Sequence, residues 1–313
     1  MKRSKPMPVR EAIRDVQHAH AVTFDAIGTR WSIRSDYPLD TETITRVRER
    51  IDEFDRCYSR FRDDSYVCMV AGHPGQWPLP ADAAPMFALY DRLDEITGGA
   101  VNPLVGSRME FLGYDSSYRL RPAGAVTTQR TPRWTEHVVW GDGVLRTTPG
   151  VGVIDVGAIG KGYLIDLVGG VLRSAGHQDW LIDAGGDILA SGRPRRIGLE
   201  HPYRLGEVIG VVTIQDEAIC ASGTARRAWG DGLHHIVDAR NGMPVHDVSA
   251  TWAVAGTARE ADGLATALFF TEPAILEAQW NLSWAMVRGK TLRYADTLRA
   301  EIFTAEEKGA SHA

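Results

Sequence analysis

The sequence predicts an α+β protein in which helices and antiparallel strand pairs are mixed along one chain. Two observations predict this class. In several segments apolar residues recur every three or four positions, and in others they alternate with polar residues between turn signals. Neither pattern is confined to one half of the chain, and no internal repeat or low-complexity linker separates them. We therefore expect helices and strands to share one mixed structure.

The first predicted elements are a strand pair and two helices. Residues 21–33 alternate and are interrupted by Gly28, which predicts two strands joined by a tight turn. Residues 41–57 place their apolar side chains at helical spacing behind a polar residue that can cap a helix. A second helix is predicted over 86–96, ending at Gly98.

Hairpins, strands and two further helices are predicted in the rest of the chain. The pattern predicts hairpins over 137–146, a helix over 161–175, strands at about 179–184, 208–215 and 250–256, and a last helix over 259–270. Residues 1–20 are interpreted as an N-terminal arm, either loose or one short helix, and 301–313 as a polar tail. Residues 21–300 then form one domain.

The composition excludes several classes of protein. Hydrophobic residues make up 44% of the 313 residues and charged residues 24%, which excludes a disordered chain. The net charge of −5 does not indicate the basic surface that a nucleic-acid-binding protein needs. No apolar run reaches the ~18 residues of a membrane-spanning helix, and the N-terminus lacks the apolar core of a secretory signal. We therefore expect a cytoplasmic protein.

Glycine is in excess, with 32 of 313 residues against a usual fraction of ~7%. Many of these glycines fall at junctions between a predicted strand or loop and a helix. Glycine at such a junction lets the backbone take a positive φ or approach a ligand closely. The alternative is that each glycine only ends a helix or a strand.

One glycine-rich segment, VIDVGAIGKGYLID at 153–166, joins an apolar strand to a helix. Lys161 opens this helix, where free N–H groups and the helix dipole already favour an anion, so it can contact a phosphate. The segment is not a Walker A motif, because Gly162 stands where Ser or Thr is required, and no Rossmann fingerprint is present. The absence of a Walker A motif argues against nucleoside triphosphate hydrolysis, and the absence of a Rossmann fingerprint argues against binding of a nicotinamide dinucleotide.

Two more segments contain candidate metal-binding and acid–base groups. Asp262 and Thr266 are four residues apart on a predicted helix, so they share one face, and their oxygens suit Mg²⁺. The alternative is structural, with the carboxylate favouring the helix dipole and the hydroxyl bonding its own backbone. His235 is a candidate general base beside an apolar run. Ser222 near a histidine would suit a serine hydrolase, but the G-x-S-x-G elbow is absent.

The motifs taken together resemble those of one known family. In chain order they are AIGTRWSI, YSRFRDDS, TGGAVNPLVG, IDVGAIGKGYLID, IDAGGDI, ASGTARR, HHIVDARNGMPV and EADGLATALF. This series, over residues 21–270, resembles the ApbE family of flavin transferases, which move FMN from FAD to a threonine of a target protein. The resemblance implies an α+β fold of two lobes, with antiparallel or mixed sheets, flanking helices and the FAD site between the lobes.

The resemblance also implies roles for individual residues. Mg²⁺ would be bound by Asp262, Thr266 and the main-chain carbonyl of Ala158. His235 and Lys161 would be catalytic, with His235 helping to activate the acceptor hydroxyl. The residues that would contact FAD are Ile27, Phe61, Ala100, Val101, Asn102, Asp155, Lys161 and Val237. The glycine clusters at 98–99, 157–162, 185–186 and 223 would then make room for the phosphates of FAD.

The reaction implied by the resemblance releases AMP and leaves FMN on a threonine in an Asp-x-x-(Ser/Ala)-Thr pattern of an acceptor protein. Two alternatives stay open, an FAD pyrophosphatase that forms FMN and AMP, and an FAD-binding protein without catalytic activity. The chain departs from the usual family pattern at Asn102, where Asp is usual, and at Val101, where Phe is usual. It also departs at Ala239, where Pro is usual, and at Ile27, where an aromatic residue or Met is common. None of these positions is an implied metal ligand.

Overall fold

The computed structural model describes residues 7–8, 20–204 and 206–303. Its helices are α1 (Thr41–Tyr58), α2 (Tyr66–Gly72), α3 (Ala84–Ile96), α4 (Gly106–Phe111), α5 (Trp134–His137), α6 (Gly160–Ser174), α7 (Ala258–Ala267) and α8 (Pro273–Glu277), with a 3-10 turn at Pro103–Val105. Its strands are β1 (Met7–Pro8), β2 (His20–Ala26), β3 (Thr29–Ser35), β4 (Gln76–Pro78), β5 (Val138–Gly141), β6 (Val144–Thr147), β7 (Trp180–Ala184), β8 (Ile188–Ser191), β9 (Arg195–Glu200), β10 (Glu207–Ile214), β11 (Ala218–Gly223), β12 (Ala228–Trp229), β13 (Leu233–His234), β14 (Val237–Asp238), β15 (Met243–Pro244), β16 (Val248–Ala255), β17 (Ser283–Arg288), β18 (Thr291–Tyr294) and β19 (Ala300–Ile302).

An antiparallel sheet of eight strands forms the centre of the fold, in the order β18-β17-β16-β11-β8-β7-β3-β2. Its two faces are covered by different layers. Helices α1, α3, α6 and α7 pack on one face around residues such as Ile33 and Ile182. A small sheet of β1, β9, β10 and β19 packs on the other face, against residues such as Leu181 and Val254. Strand β16 is buried at all eight positions because it is covered on both sides.

The predicted α+β class is confirmed, and the long periodic helices lie where the sequence places them, as α1, α3 and α6. The predicted strand pair is the β2–β3 hairpin, whose turn residues Ile27 and Gly28 both have positive φ. The prediction of one last helix over 259–270 is wrong at its end. Helix α7 stops at Ala267, and Pro273 opens a separate helix, α8, after an extended Glu272.

Most of the predicted N-terminal arm and polar tail lies outside the described residues. Of the described parts, Met7–Pro8 and residues 301–302 are strand residues of the small sheet, and His20 begins β2 of the central sheet. Strand β1 pairs with the start of β10, and β19 pairs with the middle of the same strand. None of the helices in the described part of the chain has both the length and the apolar character needed to cross a membrane.

Helices α6 and α7 meet at their N-terminal ends, where each provides a carboxylate for the other. Asp262 of α7 accepts a hydrogen bond from the N–H of Gly162, in the first turn of α6, at 2.8 Å. Asp166 of α6 accepts from the N–H groups of Ala258 and Arg259, at the start of α7, at 2.8 and 3.0 Å. The first N–H groups of a helix have no partner within it, so these carboxylates act as caps. The exchange fixes Asp262 relative to the start of α6.

Close packing of these two helices depends on Gly162. A Cβ at this position would lie 2.1 Å from the carbonyl oxygen of Ala258 and 2.7 Å from the Cβ of Asp262. We expect Gly162→Ala to lower the free energy of unfolding by about 3 kcal/mol, because backbone cannot yield as a flexible side chain can. Gly170→Ala is the matched control on the same helix, since a Cβ there meets nothing within 4 Å, and it should stabilise by up to about 1 kcal/mol. Urea unfolding of both variants measures this, and similar effects of the two would contradict the packing argument.

The cap formed by Asp166 predicts a pH dependence of stability. Burial raises the pKa of Asp166 to about 6, against the opposing effect of the N–H groups of Arg259 and Ala258. Since the unfolded pKa is about 3.9, the folded protein binds more protons between the two values, and this group's contribution to stability falls as pH rises from about 4 to 6. Relative to Asp166→Asn, the wild type should lose about 2–3 kcal/mol between pH 4 and pH 7. Urea unfolding at both pH values checks this, and a pH-independent difference would contradict it.

Candidate active site

A cavity of about 320 Å³ lies beside the N-terminal end of α6 and the face of α7 that carries Asp262 and Thr266. Its walls come from the β2–β3 turn, the segments after α1 and α3, the loop before α6, the end of β11 and the segment between β13 and β14. The residues singled out from the sequence that line it are Phe61, Ala100, Val101, Asn102, Asp155, Ala158, Lys161, His235, Val237, Asp262 and Thr266. Segments far apart in the sequence therefore meet around one cavity.

Ile27 is the predicted site residue that the structure places elsewhere. It occupies the β2–β3 turn with φ 44°, and its half-buried side chain packs against the main core. Its neighbours Gly28 and Thr29 line the cavity instead. The positive φ of the turn directs this side chain away from the position that an extended strand residue would take.

The candidate metal ligands lie together in the cavity wall. Asp262 and Thr266 are one turn apart on α7, and Ala158 lies in the loop before α6. Among the described residues, the hydroxyl of Thr266 forms no hydrogen bond with its own backbone, so this part of the structural alternative is not observed. Asp262 does act at a helix N-terminus, that of α6, through its Oδ2. Among these residues no group of three His, Cys, Asp or Glu side chains could hold a metal ion. A carboxylate, a hydroxyl and a carbonyl are the hard oxygen donors that suit Mg²⁺, with water and phosphate completing its shell.

The electrostatics of Asp262 favour a cation. Burial raises the pKa of its carboxyl group, while the ammonium of Lys161 and the N–H of Gly162 act in the opposite direction. A buried carboxylate is stabilised in its charged form by an adjacent cation. A divalent ion at this position would therefore be bound most tightly by the ionised carboxylate.

Lys161 is held in the cavity wall by an ion pair. Its ammonium contacts the carboxylate of Asp187, which is 1% exposed and follows the glycine turn after β7. The other carboxylate oxygen accepts from the N–H of Ala221 at 3.2 Å, which orients the pair. Burial lowers the pKa of Lys161, and the negative charge of Asp262 opposes this shift. The pair keeps a cation beside the candidate metal ligands.

Asp155 and Asn102 shape the cavity through contacts with the protein. The carboxylate of Asp155 accepts from the Nε of Arg60 and from the N–H of Gly157, both at 2.7 Å, and so fixes the loop that carries Ala158. Asn102 accepts from the N–H of Leu104 at 2.9 Å and donates to the carbonyl of Pro132 at 2.8 Å. The second contact requires an N–H donor, which an amide supplies and an ionised carboxylate does not.

His235 lies between β13 and β14 and lines the cavity. Its Nδ1 is buried and has no hydrogen-bond partner among the described residues. Burial lowers its pKa to about 3, with further lowering by the charges of Arg227 and His234. The imidazole is therefore neutral at neutral pH, so one ring nitrogen has a free lone pair that can accept a hydrogen bond from a hydroxyl group.

Several cavity residues were not singled out from the sequence. Those that line the cavity are Tyr90, Arg60, Tyr114, Arg226 and Arg227, and Asp187 lies behind Lys161. Arg60 lies in the motif YSRFRDDS, Asp187 in IDAGGDI, and the two other arginines in ASGTARR. A search for charged groups inside those motifs could have found all four residues. Tyr90 gives no such signal, because it lies among the apolar residues of α3 and resembles a core residue.

Curated proteins with related sequences share one name. Over 237 residues the chain is 29% identical to the FAD:protein FMN transferase of Treponema pallidum, covering 66% of this chain and 65% of that protein. It is 26% identical over 246 residues to the protein of the same name from Vibrio cholerae, covering 73% of each. The aligned part therefore spans just under two thirds of the Treponema relative.

Solved structures share the architecture. The flavin transferase ApbE from Vibrio cholerae superposes with a TM-score of 0.76 at 23% identity, covering 88% of this chain and 96% of that one. The ApbE protein from Thermotoga maritima gives 0.77 at 22%, covering 89% and 97%. The model of the ApbE family matches residues 27–283. The resemblance inferred from the motifs is confirmed, and the chain belongs to the ApbE family.

Proposed function

We propose that this protein is an FAD:protein FMN transferase that moves FMN from FAD to a threonine hydroxyl of an acceptor protein and releases AMP. One observation carries the proposal. Oxygen donors of the type that Mg²⁺ prefers, the half-buried ammonium of Lys161 and a neutral imidazole line a single cavity. The chain also belongs to a family whose curated relatives have that name.

The proposed reaction is a displacement at phosphorus. The threonine oxygen forms a bond to the phosphorus of the FMN half, the bond from that phosphorus to the bridging oxygen breaks, and AMP leaves with the bridging oxygen. Mg²⁺ bound at Asp262, Thr266 and the carbonyl of Ala158 would offset the negative charge of the phosphate oxygens. Lys161 adds a fixed positive charge, and His235 accepts the proton of the threonine hydroxyl.

A three-component assay tests the proposal. The protein is incubated with FAD, Mg²⁺ and a peptide that contains Asp-x-x-(Ser/Ala)-Thr, with a Thr→Val peptide and a sample containing chelator as controls. We expect covalent flavin on the threonine peptide alone, and only with the metal. Release of FMN and AMP without peptide labelling would favour the pyrophosphatase alternative, and binding of FAD without turnover would favour the non-catalytic one.

A further inference from the structure

Arg60 is a buried cation in the cavity wall, and most of its hydrogen-bonding capacity is unused. Its side chain is 2% exposed, and its Nε donates to Asp155 at 2.7 Å. Both terminal nitrogens, Nη1 and Nη2, are buried and find no partner among the described residues. A buried guanidinium without acceptors costs free energy, so a ligand that supplies acceptors at this position would be favoured.

The guanidinium of Arg60 is held in a fixed orientation. Its Cζ lies 4.1 Å from the ring centroid of Phe61 and 5.1 Å from that of Tyr114. These two rings meet edge to face, with centroids 5.6 Å apart. The ion pair with Asp155 fixes the Nε side of the group. The two terminal nitrogens, Nη1 and Nη2, form a planar fork of N–H donors. Because this fork is already oriented, little conformational entropy is lost when it binds a ligand.

The surroundings of Arg60 differ from those of the candidate metal ligands. Val105, Met109, Tyr114 and Val237 all line the cavity and pack in one apolar cluster, and Tyr114 also contacts the guanidinium. This part of the wall suits a flat, largely apolar ring system. In addition, the charge of Arg60 is already balanced by Asp155, so the fork is better matched to neutral acceptors than to a phosphate.

We propose that Arg60 binds the pyrimidine edge of the isoalloxazine ring, with Nη1 and Nη2 donating to an adjacent carbonyl oxygen and ring nitrogen. The inference rests on the proposed function, which supplies FAD as the ligand, and it assigns Arg60 as a residue that selects the flavin half. Among the acceptor groups of FAD, the isoalloxazine ring has a neutral carbonyl oxygen next to a ring nitrogen, and it has the flat apolar faces that this wall fits.

Binding measurements with parts of FAD test the assignment. Dissociation constants for riboflavin, FAD and ADP-ribose are measured by fluorescence quenching or calorimetry for the wild type, Arg60→Met and Arg60→Lys, without any acceptor peptide. Arg60→Met should weaken riboflavin and FAD by the same factor, about tenfold or more, and leave ADP-ribose within about twofold. Arg60→Lys keeps the charge beside Asp155 but loses the fork, so it should weaken riboflavin without unfolding the protein.

The matched control is Arg62→Met, since Arg62 pairs with Asp55 and Asp64 and does not line the cavity. It should bind all three ligands as the wild type does. Unchanged riboflavin affinity in both Arg60 variants would overturn the assignment, as would a loss of ADP-ribose binding with riboflavin unaffected. A wild type that binds riboflavin through Arg60 but labels no peptide would overturn only the proposed transfer.

Discussion

Asp262→Asn is expected to reduce metal-dependent FMN transfer by more than about 100-fold, because loss of a charged metal ligand removes several kcal/mol of transition-state stabilisation. The amide is close in shape to the carboxylate, and its oxygen can still accept from the N–H of Gly162. The cap on α6 is therefore retained while the charge is lost. The rate of peptide labelling as a function of Mg²⁺ concentration, together with calorimetric titration of Mg²⁺, measures the effect.

Asp166→Asn is the matched control for this variant. Asp166 caps α7 as Asp262 caps α6, but it does not line the cavity. It should keep transfer within a few-fold of the wild type. Normal Mg²⁺-dependent labelling by Asp262→Asn would remove Asp262 from the proposed metal site, and equal losses in the two variants would assign both carboxylates a structural role.

Lys161→Met should lower the rate of transfer by about 100-fold or more, since it removes a fixed charge beside the reacting phosphates. It should also lower the free energy of unfolding by about 3–5 kcal/mol, because Asp187 stays buried without its partner. Initial rates of peptide labelling and urea unfolding measure the two effects separately.

The double variant Lys161→Met with Asp187→Asn separates these effects. Replacing the carboxylate removes the uncompensated buried charge, so stability should largely recover while transfer does not. If the double variant transfers FMN as fast as the wild type, Lys161 only maintains the fold. If the single variant is as stable as the wild type, the ion pair with Asp187 contributes nothing to folding.

Patterns of apolar and polar residues along the sequence predicted the helices and the pairs of residues that share one helical face, because these features depend only on residues close together in the sequence. Helices α1, α3 and α6 have a clear apolar face, and Asp262 and Thr266 share a helical face because they are four residues apart. The ion pair of Arg60 with Asp155 joins residues 95 positions apart, and that of Lys161 with Asp187 joins residues 26 apart. No spacing rule reports such contacts, because they depend on how the sheet brings loops together.

The interpretation of the glycines was only partly right. Gly157, Gly185 and Gly223 line the cavity, as expected of residues that make room for a ligand, whereas Gly98 and Gly99 do not line it. Gly160 and Gly162 do not make room for phosphates, since a Cβ at Gly160 would lie 2.8 Å from Val156 and one at Gly162 would meet Ala258. A sequence shows that a glycine is required but does not show whether the atom that approaches it belongs to a ligand or to another helix.

The central claim is that one cavity transfers FMN to a protein hydroxyl. The most direct test is to quantify AMP and threonine-bound FMN, by chromatography and mass spectrometry, in the same reaction with FAD, Mg²⁺ and the acceptor peptide. We predict one AMP for each FMN on the threonine, with both products lost in Asp262→Asn. AMP formed with free FMN and an unlabelled peptide, or FAD left intact, would contradict the claim.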